Sequence, residues 1–169
     1  MRMTANNKIN ISDPNPADVL EAVKDLKTHG VVEQHWCTGV VWMDVEDDFI
    51  FKSLEVLYDF GFTAPPFYHF PMGTSLPHVK IVNQSEAEDM TGKLEDKVIV
   101  EFRVVGAFIF RHEGLEMFLI QVESAELDRI RKDLTGLPPP DQGFCINVGE
   151  RLVDVENEEK PETKTNTKP

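Results

Sequence analysis

VIVEFRVVGAFIFRHEGLEMFLIQVESAELDRIRKDLTGLPPPDQGFCINVGERLV, residues 98–153, is the stretch of this chain that decides its fold. It begins with two runs rich in β-branched and aromatic residues, at 98–110 and 115–123. The connection between these runs is short and contains Gly114, so the pattern predicts two strands joined as a hairpin. Gly106 lies inside the first run and is typical of a β-bulge.

A helix and a final strand complete this stretch. Ser124 is a favoured N-cap residue, Gly136 is a C-terminal signal, and three prolines follow. Apolar residues recur between them at helical spacing: Leu127, Ile130 and Leu134. We therefore predict a helix from Ser124 to Gly136, and GFCINVGERLV predicts a strand at about 143–153.

The N-terminal part predicts two more helices with a strand between them. Asn15 is a good N-cap residue before a proline and an apolar stripe, and Gly30 is the predicted end of that helix. The run VVEQHWCTGVVWM is rich in β-branched and aromatic residues, which predicts one strand at about 34–43. Acidic residues then precede a second helix near 48–59.

The middle of the chain predicts mostly loops around one short strand. Residues 63–77 are rich in proline and residues 83–97 are polar, whereas HVKIV at 78–82 has the pattern of a strand. The predicted order is thus α, β, α, β, β, β, α, β. Strands grouped between helices indicate an α+β fold, a mainly antiparallel sheet with flanking helices, and leave open a two-lobed arrangement around a cleft.

One domain is the expectation for 169 residues of which 41% are hydrophobic. We expect this single α+β domain to span residues 13–153, after a flexible N-terminal segment at 1–12. Residues 154–169 carry almost no apolar side chains and predict a disordered tail.

The net charge of −13 restricts the partners of this domain. Residues 150–169 carry six acidic and four basic residues, so −11 lies in residues 1–149. Binding to nucleic acid duplexes depends on Lys and Arg that neutralise phosphates, so we expect no duplex nucleic acid as a partner. A small nucleotide, an RNA end or a basic protein partner stays open, and so does a role of the acids in solubility alone.

The cysteine spacing and the hydropathy pattern argue against disulfide-rich, zinc-binding and membrane-spanning proteins. Cys37 and Cys145 show no spacing typical of a zinc site or a disulfide framework, and we predict no metal and no cofactor. The N-terminus is polar and no apolar run reaches membrane-spanning length. These patterns predict a cytoplasmic protein with no membrane partner.

Three histidines are candidates for acid–base chemistry or ligand binding. His78 follows a Pro/Gly-rich loop and begins an apolar strand, a position from which imidazole can face a cleft. His35 lies in the apolar run HWCTGVV, and His69 lies in the aromatic loop FYHF. Each of them also has a purely structural interpretation, as a packed or hydrogen-bonded side chain.

The segments LPHVKIV (76–82) and GFCINVGERL (143–152), with the paired strands and the helix between them, resemble the layout of the two-histidine phosphoesterases, also called LigT-like or 2′-5′ RNA ligase-like proteins. In that family two H-x-[ST] motifs on strands face one cleft, and the two histidines exchange a proton during cleavage of a 2′,3′-cyclic or 2′-5′ phosphodiester. The resemblance covers roughly residues 34–153 and implies an α+β fold around such a cleft.

The resemblance assigns roles to four residues. His78 stands in the first histidine position and Cys145 in the second, so these two are the implied catalytic residues. Lys80 and Asn147 replace the hydroxyl residues and are the implied phosphate ligands. His35 and His69 are further ligand-binding candidates, and cleavage would need one of them as a second proton carrier. The implied function is binding or cleavage of a phosphodiester in a nucleotide or at an RNA end.

Two other functions stay open at this point. The acidic domain could be a non-catalytic interaction module that binds a basic partner or mimics nucleic acid. A thiol enzyme that pairs one of the two cysteines with a histidine is less favoured, because both cysteines lie in apolar segments where the thiol pKa rises.

Overall fold

The computed structural model describes residues 12–69 and 76–153, and in this range the chain has the predicted α+β fold: one curled antiparallel sheet of seven strands with four flanking helices. The helices are α1 (Pro16–Val23), α2 (Asp48–Leu57), α3 (Gln84–Glu88) and α4 (Ala125–Thr135). The strands are β1 (His29–Gln34), β2 (Val41–Asp44), β3 (His78–Val82), β4 (Val98–Glu101), β5 (Arg103–His112), β6 (Leu115–Glu123) and β7 (Phe144–Leu152). Their order in the sheet is β4-β1-β2-β3-β7-β6-β5.

Local signals in the sequence account for the elements that were predicted closely. The Asn15 side chain accepts a hydrogen bond from Ala17 N and starts α1, and Ser124 accepts one from Leu127 N and starts α4. Gly136 ends α4 at φ 72°, in the left-handed region that glycine adopts without strain. The β5–β6 turn and the bulge near Gly106 are also present.

The predicted single strand at 34–43 is wrong, because the chain reverses inside it. β1 ends at Gln34 and β2 begins at Val41, and the two pair antiparallel across a turn at residues 35–40. Gly39 has φ 76° in this turn. Gly30, the predicted end of the first helix, lies instead in β1, where an added Cβ would approach Asp44 O to 2.4 Å.

The apolar run at 98–110 is two strands rather than one. β4 ends at Glu101 and β5 starts at Arg103, and between them Phe102 is buried and donates its N–H to Thr28 O at 2.8 Å. β4 and β5 then lie at opposite edges of the sheet. The polar segment at 83–97, predicted as loop, contains the short helix α3 with an Asn83–Glu86 capping box.

The hydrophobic core lies between the helices and one face of the sheet. Buried side chains of α1, α2 and α4 join those of the strands in one cluster. The opposite face, called the open face below, carries the residues that alternate with the buried ones along the central strands. On β1, β2, β3, β7 and β6 these are Val31, Glu33, Trp42, Asp44, His78, Lys80, Cys145, Asn147, Leu119 and Gln121.

A buried ion-pair network fixes the N-terminal end of the described chain to the sheet. The Arg151 side chain is only 3% exposed and donates to Glu116 at 2.6 Å and to Asp13 at 2.7 Å. Its guanidinium also donates to Phe60 O and lies 4.4 Å from the centre of the Phe62 ring. These contacts hold Asp13, β7 and the turn that follows α2 in one arrangement.

The segments predicted as a flexible N-terminus and a disordered tail lie almost entirely outside the described residues. In the part that is described, no helix is both long and apolar enough to cross a membrane.

Candidate functional site

Four of the residues predicted for the site lie on the open face of two adjacent strands. β3 and β7 pair antiparallel with Val79 opposite Ile146, and both of these side chains are completely buried in the core. The side chains that alternate with them therefore point to the open face. These are His78, Lys80, Cys145 and Asn147.

The register places these four side chains side by side rather than across a wide cleft. Counting outward from the Val79–Ile146 pair puts His78 beside Asn147 and Lys80 beside Cys145. His78 and Cys145 are then diagonal neighbours, for which about 7–8 Å is typical. The structure thus brings the four residues together, while their roles stay predictions.

His78 is a half-buried imidazole held among aromatic rings. Its Nδ1 lies 2.9 Å from Leu76 O, so this nitrogen carries the proton and donates it to the carbonyl. The ring centre is 4.7 Å from that of Phe67 and 6.4 Å from that of Trp42. Burial lowers the pKa of His78, and the Lys80 charge adds to this effect. His78 is therefore neutral at pH 7, and its Nε2 is a hydrogen-bond acceptor.

Lys80 is exposed and lines a pocket of about 430 Å³ at the end of β3. Leu119 and Cys145 form the neighbouring wall on the sheet, and the loop at 140–143 lies on the other side. Arg131 also lines the pocket, but it is bonded to both oxygens of Glu86, so its charge is already balanced. Among the described residues that line this pocket, Lys80 is the cation that forms no ion pair.

The thiol of Cys145 has little proton-transfer chemistry at neutral pH. Burial raises its pKa to about 11, and its sulfur lies 3.7 Å from the carbonyl oxygen of Gln142 and 3.9 Å from that of Gly143. A thiol in this environment stays protonated, and it is a much weaker acid than an imidazolium ion. Cys145 can contact a ligand, but it does not replace a second histidine.

Asn147 is already engaged with its own strand. Its amide nitrogen donates to Glu150 at 2.8 Å and lies 3.6 Å from the Met117 sulfur, and its oxygen accepts from Gly149 N at 3.2 Å. Both amide hydrogens thus have acceptors. Asn147 could hold a phosphate only by releasing Glu150, so it is a weaker candidate ligand than Lys80.

The two further candidate histidines lie in the loops around the open face. His35 is in the β1–β2 turn, where its ring centre is 5.8 Å from Trp42 and its Nδ1 is 3.0 Å from Thr38 Oγ1. The structure therefore links His35 to His78 through the Trp42 ring. His69 ends the 3₁₀ turn Pro66–His69, and its side chain is outside the described part of the structure.

The open face also carries two carboxyl groups that the sequence analysis did not identify. Asp44 is the register neighbour of His78, and Glu33 lies diagonally from Asp44 on β1. Glu33 forms an ion pair with Lys97 at 3.0 Å, and this contact lowers the Glu33 pKa. Burial, together with the Glu33 charge, raises the pKa of Asp44 to about 6. The sequence contains a signal for both residues, because a carboxyl group within a short apolar strand is unusual and indicates a possible site.

Comparison with known protein families, with curated proteins and with solved structures finds no match to this chain. The resemblance to the two-histidine phosphoesterases therefore rests on the residues alone. Within residues 12–69 and 76–153, no group of three or more His, Cys, Asp or Glu is placed to hold a metal ion.

Proposed function

We propose that the open face around β3 and β7 binds the phosphate of a small nucleotide or of an RNA end. The observation that carries this proposal is the placement of Lys80. Nine of the twelve lysines and arginines in the described residues form ion pairs within 4.0 Å. Lys80 is one of the three that form no ion pair with the described residues, and it is the one beside both His78 and the pocket.

The chemistry of the face favours binding of a phosphodiester over its cleavage. In-line cleavage with proton transfer on both sides needs a base and an acid near neutral pH. His78 has an acceptor nitrogen and can act as a base, but the pKa of Cys145, about 11, leaves that thiol a poor acid. We therefore propose a phosphate-binding site with the layout of that family, and turnover of the cyclic phosphate tests whether it also cleaves the ester.

A matched pair of lysine variants tests this proposal. Lys80→Met removes the pocket lysine, and Lys93→Met removes another lysine that forms no ion pair with the described residues and does not line the pocket. A hydrogen bond from a charged group contributes about 1.5–3 kcal/mol, so we expect Lys80→Met to weaken binding about 10–100-fold. Lys93→Met should bind like the wild type.

The measurement is isothermal titration calorimetry with AMP and adenosine 2′,3′-cyclic phosphate, supported by thermal unfolding. A ligand at 100 times its Kd raises the free energy of unfolding by about 2.7 kcal/mol. Turnover of the cyclic phosphate is followed in parallel for the wild type and for His78→Ala. If the wild type binds neither nucleotide, or if both lysine variants bind equally, the proposal is wrong.

The acidic interaction module is a second candidate function, and it rests on charge alone. The described residues carry twenty-five acidic and twelve basic side chains. Such a surface favours basic partners through contacts that salt weakens. A pull-down that recovers the same basic proteins in equal amounts at low and high salt would remove this candidate.

A further inference from the structure

Five aromatic rings form a continuous row from the β1–β2 turn to the proposed phosphate site. The centres of neighbouring rings are 6.1 Å apart for Trp36 and His35, 5.8 Å for His35 and Trp42, 6.4 Å for Trp42 and His78, and 4.7 Å for His78 and Phe67. Each separation is within the range of interacting aromatic pairs. We call these five residues the aromatic row.

The outer end of the aromatic row is exposed but locally ordered. Trp36 is 92% exposed and stacks on His35 with an angle of 26° between the rings. His35 is held by Thr38, whose hydroxyl and N–H both lie within hydrogen-bond distance of its Nδ1, and by backbone bonds to Val40 and Gly39. Trp36 therefore contributes almost no buried area to folding, and its free ring face is available to a ligand.

The charges along the row differ between its two ends. Lys80 is the register neighbour of Trp42 on the β3 side, whereas Glu33 is its register neighbour on the β1 side. An anionic group is attracted to the first side and repelled from the second. A nucleotide with its phosphate at Lys80 would therefore have its base directed over Trp42 and His35.

We propose that the aromatic row is a base-stacking surface, and that the ligand is a nucleoside phosphate with unpaired bases rather than a phosphate ester without a base. This inference rests on the proposed phosphate site. Every base has a π-face, so stacking of this kind tolerates different sequences. Trp36 lies one ring beyond His35, so a ligand that also covers Trp36 contains a second nucleotide.

Ligands with and without a base, and of increasing length, separate binding at the stacking surface from binding at the phosphate site alone. The ligands are ribose 5-phosphate, AMP, 5′-phosphorylated diadenylate and a single-stranded ten-nucleotide RNA with a terminal phosphate, all measured by titration calorimetry. We expect AMP to bind about tenfold more tightly than ribose 5-phosphate, and diadenylate about tenfold more tightly than AMP. RNA that binds more tightly than diadenylate indicates an RNA end as the source, and equal binding indicates a free nucleotide; both outcomes support the stacking surface.

Trp36→Ala is the decisive variant because its exposed ring adds little to stability. Tyr58→Ala removes another exposed aromatic ring, 72% exposed at the end of α2, and is the matched control. We expect Trp36→Ala to lose about tenfold in affinity for diadenylate with an unchanged melting temperature, and Tyr58→Ala to bind normally.

The two proposals fail in different ways. If ribose 5-phosphate binds as tightly as diadenylate and Lys80→Met still weakens both, the stacking surface is wrong and the phosphate site stands. The stacking surface is also wrong if Trp36→Ala and Tyr58→Ala bind diadenylate equally. If no ligand binds to the wild type, both proposals are wrong.

Discussion

Replacing Asp44 by Asn removes an ionisable group that the fold holds at an unusual pKa. The Asp44 pKa is about 6 in the folded chain, against an ordinary value of 3.8. The folded chain therefore binds this proton more tightly than the unfolded chain, and stability falls as the pH rises from about 4 to about 6. Above pH 6 the fold bears the full loss of stability that comes from holding Asp44 ionised. Because Asn cannot ionise, we expect Asp44→Asn to be more stable than the wild type at pH 7.5 and similar to it at pH 4.

The size of the expected stability gain follows from the pKa and the exposure of Asp44. A shift from 3.8 to about 6 is equivalent to about 3 kcal/mol if it is converted in full. Asp44 is only half-buried, so solvent screens its interaction with Glu33, and a gain of about 1–2 kcal/mol is the realistic expectation. Asn preserves the size of the side chain and keeps one oxygen that can accept a hydrogen bond.

Urea unfolding monitored by circular dichroism at pH 7.5 and pH 4 measures this effect. Asp96→Asn is the control, since Asp96 is an exposed acid in a loop and forms no ion pair with the described residues. Glu33→Gln is a second variant that removes the neighbouring charge, so it should lower the Asp44 pKa and reduce the benefit of Asp44→Asn. A gain of the same size at both pH values, or no gain at pH 7.5, would refute the reasoning.

Two further predictions concern buried groups. Arg151→Met leaves the buried Glu116 carboxylate with only the Arg111 contact, so we expect a loss of about 3–5 kcal/mol in urea unfolding, and a loss below about 1 kcal/mol would contradict this account. At pH 7.5 iodoacetamide should alkylate the exposed Cys37 and leave Cys145 unmodified, because burial raises the Cys145 pKa to about 11; equal labelling in peptide mass spectrometry would show that the thiol is accessible and ionised.

The elements with complete local signals could be predicted from the sequence. Helix α4 has an N-cap residue, an apolar stripe and a terminal glycine within thirteen residues, and β3 is a short apolar run directly after a proline-rich loop. Each of these signals acts over a few neighbouring residues. Their bounds therefore do not depend on the rest of the fold.

The two errors in strand assignment have a common physical cause. At 34–43 and at 98–110 most residues favour strands, but the chain changes direction within each run. The first change is a turn around Gly39, and the second is the burial of Phe102 in the core. A propensity scale describes how a residue fits a strand, and it carries no information about where the partner strand ends.

The candidate site could be predicted only in part for a similar reason. Alternation along β3 and β7 is a local property, so it places His78 and Lys80 on one face and Cys145 and Asn147 on one face. The contribution of Asp44 follows from the strand order β2-β3-β7, which joins segments far apart in the sequence. Contacts of this kind are set by tertiary structure.

The junction at Phe102 has a consequence for how the open face can respond to a ligand. β4 and β5 are the two margins of the sheet, yet only one residue separates them along the chain. The peptide backbone thus joins one end of each edge strand, so a movement of either strand at this junction displaces the other. A ligand that binds the open face therefore meets a sheet whose curvature is fixed by the fold. Its binding depends on side-chain rotamers and not on flattening of the strands.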